Sequence, residues 1–469
     1  MTLAIWWIRR DLRLQDNPAL LAAARSGLPV LPVFILDPML LAPHAPARQA
    51  FLFGGLQDLG NALARLGARL ILRRGQPLAE LQKLAVETGG AAFFAEEDYS
   101  PYARRRDAEI ARLLPLHLVT GASVQPPAAV HKPDGTPYTI FTPFSRAWKA
   151  LPLSAPLHLR LDEISFSTDP ALPSEPLPGL PTPPAFPPGE AEAERRLGVF
   201  LTGPVQTYAA DRNRLDLEGT SLLSPYLRFG MLSPRRAVQG ALQAASQADG
   251  EARRGAETFL SELIWREFYQ SILYHFPHVL QGAFRPSMRN IQWREATDEL
   301  RAWQEGRTGY PVVDAAMRQL ISLGWMHNRA RMITASFLVK DLLINWQAGE
   351  RWFMRWLVDG DPAANNGGWQ WAAGTGTDAA PYFRIFNPIT QGQKFDPQGA
   401  YIRRWLPELA ELPDQFVYTP WLIPAREASI IKFRPGTDYP LPLVDHSQAR
   451  QRTLAAYAAA RNSMNQEVL

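Results

Sequence analysis

Ala4-Ile-Trp-Trp-Ile8, then Asp16-Asn-Pro-Ala-Leu-Leu-Ala-Ala-Ala24, then Val30-Leu-Pro-Val-Phe-Ile-Leu36 open the chain. Two short apolar runs rich in Val, Ile and Trp flank a segment of helical composition that starts on the signal Asp-Asn-Pro, a pattern that predicts strand, helix, strand. The alternation continues outward. Residues 49–66 are amphipathic, 69–72 read as a strand, 78–87 as a helix, 91–95 as a strand, 103–114 as a helix and 117–120 as a fifth strand. Such alternation predicts a Rossmann-like doubly wound parallel sheet over roughly the first 125 residues, with its ligand edge at the carboxyl ends of the strands. No G-x-G-x-x-G follows the first strand, because Ile8 runs straight into Arg9-Arg10-Asp11-Leu12-Arg13. Dinucleotide binding in the usual manner of that fold is therefore not supported. Gly54, Gly55 and Gly60 fall inside a helical pattern and are expected to be packing positions.

Beyond the sheet the composition changes. Residues 151–190 hold 11 of the 42 prolines and little periodicity, which reads as a long surface crossover anchored by Ile164, Phe166, Leu177 and Phe186. After it come helical patterns at 190–202, 233–244, 254–274, 298–305, 312–323, 328–346, 351–357 and 448–460, so an all-α second domain is expected. At 469 residues and 46% hydrophobic content the chain is long enough for two domains. It lacks a run of 18 apolar residues and charges up too early for a secretory signal, which predicts a cytoplasmic protein with no membrane partner. The absence of cysteine excludes disulfides, thiolate metal sites and a cysteine nucleophile, and the 8 histidines form no ligand pair, so no metal is expected. A net charge of +4 permits a polyanion partner without demanding one. Tryptophan is more telling, since nine of the 14 lie between residues 265 and 371.

Asp359-Gly-Asp-Pro-Ala-Ala-Asn-Asn-Gly-Gly-Trp-Gln-Trp371 concentrates carboxylates, amides, glycines and indoles. Pro362 and Gly367-Gly368 are expected to break helical continuity there, leaving backbone amides free for a ligand and letting the chain bend between the two indoles. A plain loop joining two helices, with the tryptophans as core, is the competing reading. Thr220, Ser221 and Ser224 precede Pro225 in a hydroxyl-rich loop that suits phosphate oxygens or, equally, caps a helix. Helical spacing sets Glu262, Trp265 and Arg266 on one face, and Asn328 and Met332 on another. Arg331 needs a carboxylate if buried, with Asp359 or Asp361 as the candidates.

Trp265-Arg-Glu-Phe-Tyr269, Gly309-Tyr-Pro-Val-Val-Asp-Ala-Ala-Met-Arg318, Gly324-Trp-Met-His-Asn-Arg329 and the segment 359–371 resemble the DNA photolyase and cryptochrome family, and within it the class I cyclobutane pyrimidine dimer photolyases. The likeness extends to Trp7-Ile-Arg-Arg-Asp-Leu-Arg13 and so spans the chain. It implies an α/β antenna-binding domain over 1–130, a Pro-rich connector over 131–197 and an all-helical FAD- and DNA-binding domain over 198–469. It implies FAD held by Tyr208, Thr220, Ser221, Leu222, Leu223, Ser224, Arg331, Asp359, Gly360, Asp361 and Asn365, with Arg331 pairing with Asp359, Asp361 near the ribityl or ring edge and Asn365 facing flavin N5. Glu262 and Asn328 would lie between the adenine and the lesion, and Trp265, Trp371 and Met332 would complete the lesion pocket. By the same resemblance Arg212, Arg266, Arg329 and Arg384 contact DNA phosphates, while Trp369, Trp346 and Trp293 carry electrons to oxidised flavin.

The implied activity is light-driven repair of cyclobutane pyrimidine dimers in DNA by a monomer, with electron transfer from excited, fully reduced FAD. An antenna of the 8-hydroxy-deazaflavin type would sit at Phe34, Arg48, Asp98 and Arg228, where the relative compared has Lys in place of Arg228. Methenyltetrahydrofolate and a second flavin stay open as alternatives. Asn328 and Met332 stand where repairers of (6-4) photoproducts carry histidines, and Phe259 where some relatives have Trp. A blue-light photoreceptor of the cryptochrome type and a flavoprotein that binds nucleic acid without catalysis are the other readings.

Overall fold

The computed structural model describes residues 2–167, 171–179 and 185–467. Contacts divide the chain into two compact units, the first made of Met1–Ala209, Thr220–Pro277 and Val358–Ala363, the second of Ala210–Gly219, His278–Leu357 and Ala364–Leu469. This division departs from the expected boundary at 198. Segments distant in sequence join the first unit through backbone contacts that no local pattern reports, such as Leu12 N–H donating to the Phe229 carbonyl at 3.2 Å.

The first unit carries five parallel strands, β1 (Leu3–Ile8), β2 (Val30–Leu36), β3 (Ile71–Arg74), β4 (Ala91–Glu96) and β5 (Leu116–Val119), in the order β3-β2-β1-β4-β5. β1 and β2 are buried along their whole length, as near-continuous apolar runs in a two-sided parallel sheet should be. Strand order reverses between β1 and β4, so the carboxyl ends of those two strands form the crevice where such sheets bind ligands. Asn17 caps the first crossover helix, Pro18–Arg25, by accepting from the Leu20 amide. In the helix Pro46–Arg65, a Cβ on Gly55 would collide with the Met231 methyl group, so this glycine is a packing position as expected. The Pro-rich crossover is ordered where described: Ser165 and Ser167 hydrogen-bond Val30, and Phe186 is buried. Leu172 is buried there, whereas the expected anchor Leu177 is half-buried.

Helices Glu190–Thr202, Pro234–Ser246 and Gly250–His275 complete most of the first unit. Glu267, 5% exposed on the last of these, accepts from the Val124 and Gln125 amides and from the Trp148 indole, fixing a connector to the helix. The second unit is helical. Its core gathers Trp303, Phe337, Trp346, Phe353 and Trp369 from the helices Thr297–Gln304, Trp346–Trp356 and Pro362–Ala373 and from a π-helical turn, Phe337–Asp341. That turn and Leu343, at φ +52°, end the helix begun at Asn328, where one continuous helix to 346 was expected. Among the described residues no helix is long and apolar enough to cross a membrane.

The segment 359–371 is not the loop expected. Pro362–Ala373 is an α-helix. Pro362 occupies its first position, where the missing N–H costs nothing, and Asp361 accepts from the Ala363 amide at 2.9 Å as its cap. Neither Gly367 nor Gly368 has positive φ, and a Cβ on Gly368 would meet nothing within 4 Å. The two glycines therefore introduce no bend. Trp369 and Trp371 diverge because successive helical residues turn by about 100°, which sets side chains two apart on nearly opposite faces.

Candidate functional site

In the first unit, charge collects where β1 and β4 end. Arg10, two residues past β1, donates Nη2 to Asp361 Oδ2 at 2.7 Å and Nε to the Arg228 carbonyl at 3.2 Å, and lies 3.8 Å from Asp98. Arg228 Nε donates to the Gly360 carbonyl at 2.9 Å. Burial lowers Arg228 to about 9, with Arg10 adding to the effect. Burial also lowers Arg48 to about 10, opposed by Asp359 and Asp361. Asp98 is lowered too: burial raises it, but Arg10 and the Ser100 amide outweigh that and hold it well below the usual carboxylate range. Three of the expected antenna residues, Arg48, Asp98 and Arg228, thus surround the turn 359–361, while Phe34 is a buried β2 side chain. Arg228 is in part a structural clamp on that turn, a role its residue type did not announce. Asp361, expected at a flavin edge, has its two oxygens engaged by Arg10 and by the helix start.

The loop before Pro225 answers one question left open. The cap position of helix Ser224–Phe229 is Leu223, with no side-chain cap, and Leu222 stands at φ +53°. Among the described residues no hydrogen bond engages the hydroxyls of Thr220, Ser221 or Ser224. Helix capping is therefore not their work, and a row of uncommitted hydroxyls around a left-handed residue suits an anionic ligand. Tyr208 is 8% exposed, edge-on to Phe200 and Phe259 at 5.4 and 5.8 Å.

Glu262, Trp265 and Arg266 lie on the helix Gly250–His275 as their spacing predicted. Trp265 is stacked on Phe141 at 3.7 Å and 5°, so one indole face is occupied within the protein. Arg266 requires a correction. Its Nη1 and Nη2 donate to the Ala122 and Leu227 carbonyls at 3.0 and 3.2 Å, and burial together with Arg10 lowers its pKa. A guanidinium turned inward in this way is withdrawn from the expected phosphate contacts.

In the second unit, Asn328 opens the helix Asn328–Ser336, and its Nδ2 lies 3.9 Å from Met332 Sδ, the pairing that i, i+4 spacing predicted. His327 caps this helix; burial, with Arg329 and Arg331 nearby, pushes it down to about 4 and keeps it neutral. Arg331 Nε donates to the Met326 carbonyl at 2.8 Å. Arg329 bonds Asn213 Oδ1 at 2.6 Å and lies 4.4 Å over the Phe395 ring. Burial lowers Arg329 to about 10, aided by Arg212 and Arg384. Three of the four expected phosphate-contacting arginines therefore repel one another in one positive cluster, an arrangement that an anion relieves.

Helix Pro362–Ala373 presents two further sets of groups. Asn366 and Gln370 were missed as bracing residues: both donate to the Val279 carbonyl, and Gln370 also accepts from the Phe284 amide. Their i, i+4 spacing was the available signal. Asn365 donates Nδ2 to the Glu350 carbonyl at 3.1 Å, which leaves Oδ1 as an acceptor. Trp369 is 2% exposed, edge-on to Phe353 at 4.9 Å and Trp303 at 6.0 Å, and its Nε1 has no hydrogen-bond partner among the described residues. Trp346 is 3% exposed, Trp293 and Trp371 are half-buried, and Trp293 meets Tyr457 edge-on at 6.2 Å.

Comparison with known proteins identifies the family. Residues 4–161 match the family model described as DNA photolyase, and residues 259–459 match that of the FAD binding domain of DNA photolyase. The deoxyribodipyrimidine photo-lyase of Escherichia coli K12 is 44% identical, over 98% of this chain and 99% of that protein. A bacterial class III photolyase from Agrobacterium tumefaciens superposes with a TM-score of 0.92 at 38% identity, over 98% of both chains. The cryptochrome of Synechocystis sp. PCC6803 gives 0.89 at 28% identity, over 97% of this chain and 99% of that one. With both halves matched and relatives similar over nearly their full length, the chain belongs to the DNA photolyase family.

Proposed function

We propose that the protein is a deoxyribodipyrimidine photo-lyase that uses light and FAD to split cyclobutane pyrimidine dimers in DNA. The observation that carries this reading is 44% identity over nearly the full length of an enzyme named for that reaction. When bound, fully reduced FAD supplies on illumination the electron that opens the cyclobutane ring and takes it back afterwards.

The residues fit that group. Uncommitted hydroxyls of Thr220, Ser221 and Ser224, together with the amides of Leu222 and Leu223, match the needs of a diphosphate, and Tyr208 is a further contact proposed. Asp359, Gly360 and Arg331 are the further contacts proposed. Asn365 Oδ1 suits a ring nitrogen that carries hydrogen, as N5 does in reduced flavin. Trp265 and Trp371 are proposed to stack the extruded dimer, each worth about 1 to 3 kcal/mol per base against the cost of flipping a lesion that is already poorly stacked. Asn328 and Met332 are the further dimer contacts proposed. Glu262 is proposed to hydrogen-bond the dimer carbonyl and stabilise the charge that develops there. Arg212, Arg329 and Arg384 anchor the flanking phosphates. Trp369, Trp346 and Trp293 are proposed as the path that re-reduces oxidised flavin. The antenna is the finer reading: a deazaflavin-type chromophore among Phe34, Arg48, Asp98 and Arg228, with Arg228 shared with the 359–361 turn.

The test is direct. The purified protein with its flavin reduced is illuminated with blue or near-ultraviolet light in the presence of dimer-containing oligothymidine, and thymine absorbance is followed. Light-dependent recovery is expected. Its absence would refute repair and favour the photoreceptor reading.

A further inference from the structure

Lys340 is a buried cation. Its side chain is 1% exposed within the π-helical turn, and Nζ donates to the carbonyls of Ala373 and Tyr382 at 3.1 and 3.4 Å. It forms no ion pair among the described residues. It lies instead 3.6 Å from the centre of the Tyr457 ring. Tyr457 is fully buried, donates its hydroxyl to the Ala373 carbonyl at 2.7 Å, stands edge-on to Trp293 and stacks on Tyr382 at 6.3 Å. An unpaired buried ammonium is costly, and nothing in its packing needs the charge. The aromatic ring beneath it is an oxidisable group in edge contact with Trp293.

We propose that the Lys340 ammonium is a positioning residue for electron transfer, confining the oxidising equivalent to Trp293 and keeping it off the buried Tyr457 and Tyr382. This rests on the proposed Trp369, Trp346 and Trp293 path. The transfer it opposes moves one electron from the Tyr457 ring to oxidised Trp293, restoring neutral Trp293, while the phenolic proton stays in its bond to the Ala373 oxygen. The oxidising equivalent originates in photoexcited, oxidised flavin. A positive charge against the ring face disfavours loss of that electron, because cation and radical cation would share a site of low dielectric. The phenolic hydroxyl donates to the Ala373 carbonyl and not to a base, so the tyrosine gains nothing in compensation.

Burial pushes Lys340 down to about 7, so its charge titrates near neutrality. The charged groups around it are Asp341 in the same turn, which holds His446 at 2.5 Å; Arg452, which donates to the Asp341 carbonyl; and Arg461, 5.1 Å over Tyr382. Of these, Asp341 is raised by burial, with His446 and Arg452 opposing that rise.

Time-resolved absorption and electron paramagnetic resonance, after a flash to the holoprotein with oxidised flavin, identify the oxidised residue. At pH 6 the unsubstituted protein should show tryptophan. Lys340→Met should raise the tyrosyl share more than about tenfold, a ratio small beside the Coulomb energy of a charge at this distance. Lys340→Arg should restore the tryptophan signal, and Tyr457→Phe placed in the Lys340→Met background should remove the tyrosyl signal. Without any substitution, the tyrosyl share should rise as pH passes upward through about 7. Lys340→Arg should abolish that rise. A tryptophan-only signal in Lys340→Met, or a pH response that survives Lys340→Arg, overturns the proposal. Photoreduction that survives Trp293→Phe overturns the electron path and this proposal with it; photoreduction lost there, with Lys340→Met unchanged, overturns this proposal alone.

Discussion

Gly349→Ala is a one-carbon change that tests how tightly Trp369 is held. Gly349 lies inside the helix Trp346–Trp356 without positive φ, so alanine is conformationally acceptable and its higher helix propensity alone should stabilise by about 1 kcal/mol. The added Cβ, however, would collide with Trp369 Cη2 and stand 2.5 and 2.6 Å from Cζ3 and Cζ2. The indole has no room to retreat: it is 2% exposed and hemmed by Phe353 and Trp303. Overpacking of this kind costs about 1–3 kcal/mol. The net expectation is a loss of roughly 0–2 kcal/mol, with slower light-driven reduction of oxidised flavin because Trp369 is displaced. The atoms struck belong to the outer indole ring, which phenylalanine lacks. A double-mutant cycle of Gly349→Ala with Trp369→Phe, read by urea unfolding with coincident fluorescence and circular dichroism, should therefore give a coupling of about 1–3 kcal/mol that favours the pair. If Gly349→Ala alone gains about 1 kcal/mol and shows no coupling, propensity has won and the close contact is refuted.

Three further outcomes follow from the same structure. Glu262→Ala should lower repair per absorbed photon about tenfold while changing the affinity for dimer-containing DNA less, and an unchanged yield would remove Glu262 from the charge-stabilising role. Arg384→Ala or Arg212→Ala should each reduce the slope of log affinity against log salt by about 1, whereas Arg266→Ala, whose guanidinium faces carbonyls, should leave the slope unaltered. Lys340 has a folded pKa of about 7, below its unfolded value, so its charge penalises the fold fully below pH 7 and the penalty fades as pH rises toward the unfolded pKa. Lys340→Met should therefore stabilise more at pH 6 than at pH 9.5, by about 1.4 kcal/mol for each unit crossed, and a gain independent of pH would contradict the depressed lysine.

Periodic signals were legible because burial imposes them. The β1, β2 and β4 runs and most long helices begin and end within a few residues of where alternation and helical spacing put them. So did the Asn328 and Met332 pair, since i, i+4 geometry is local. Proline and glycine misled at 359–371 because their effect depends on position. Pro362 at a first helical turn starts a helix, and Gly367-Gly368 cost only propensity once Asn366, Trp369 and Gln370 supply packing and hydrogen bonds from the same helix. Arg266 and Arg329 look alike in sequence, yet one bonds carbonyls and the other joins an arginine cluster, because partners distant in sequence decide where a guanidinium turns. The same reason hid Arg10, Glu267 and Lys340, whose partners lie far along the chain. Family resemblance named the tryptophan path and the flavin contacts; composition and periodicity alone read those tryptophans as core.

The helix Pro362–Ala373 converts residue count into angle. Because Trp369 and Trp371 owe their divergence to helical rotation, their relation is indexed by an integer, and the segment should accept substitution far more readily than a change in length. Alanine at Gly368 meets open space and leaves the angular relation intact. One inserted residue between the indoles would swing the second by about 100° and carry every later side chain of the helix with it. Evolution can therefore retune either indole's neighbours one residue at a time, but it can add or delete nothing between them.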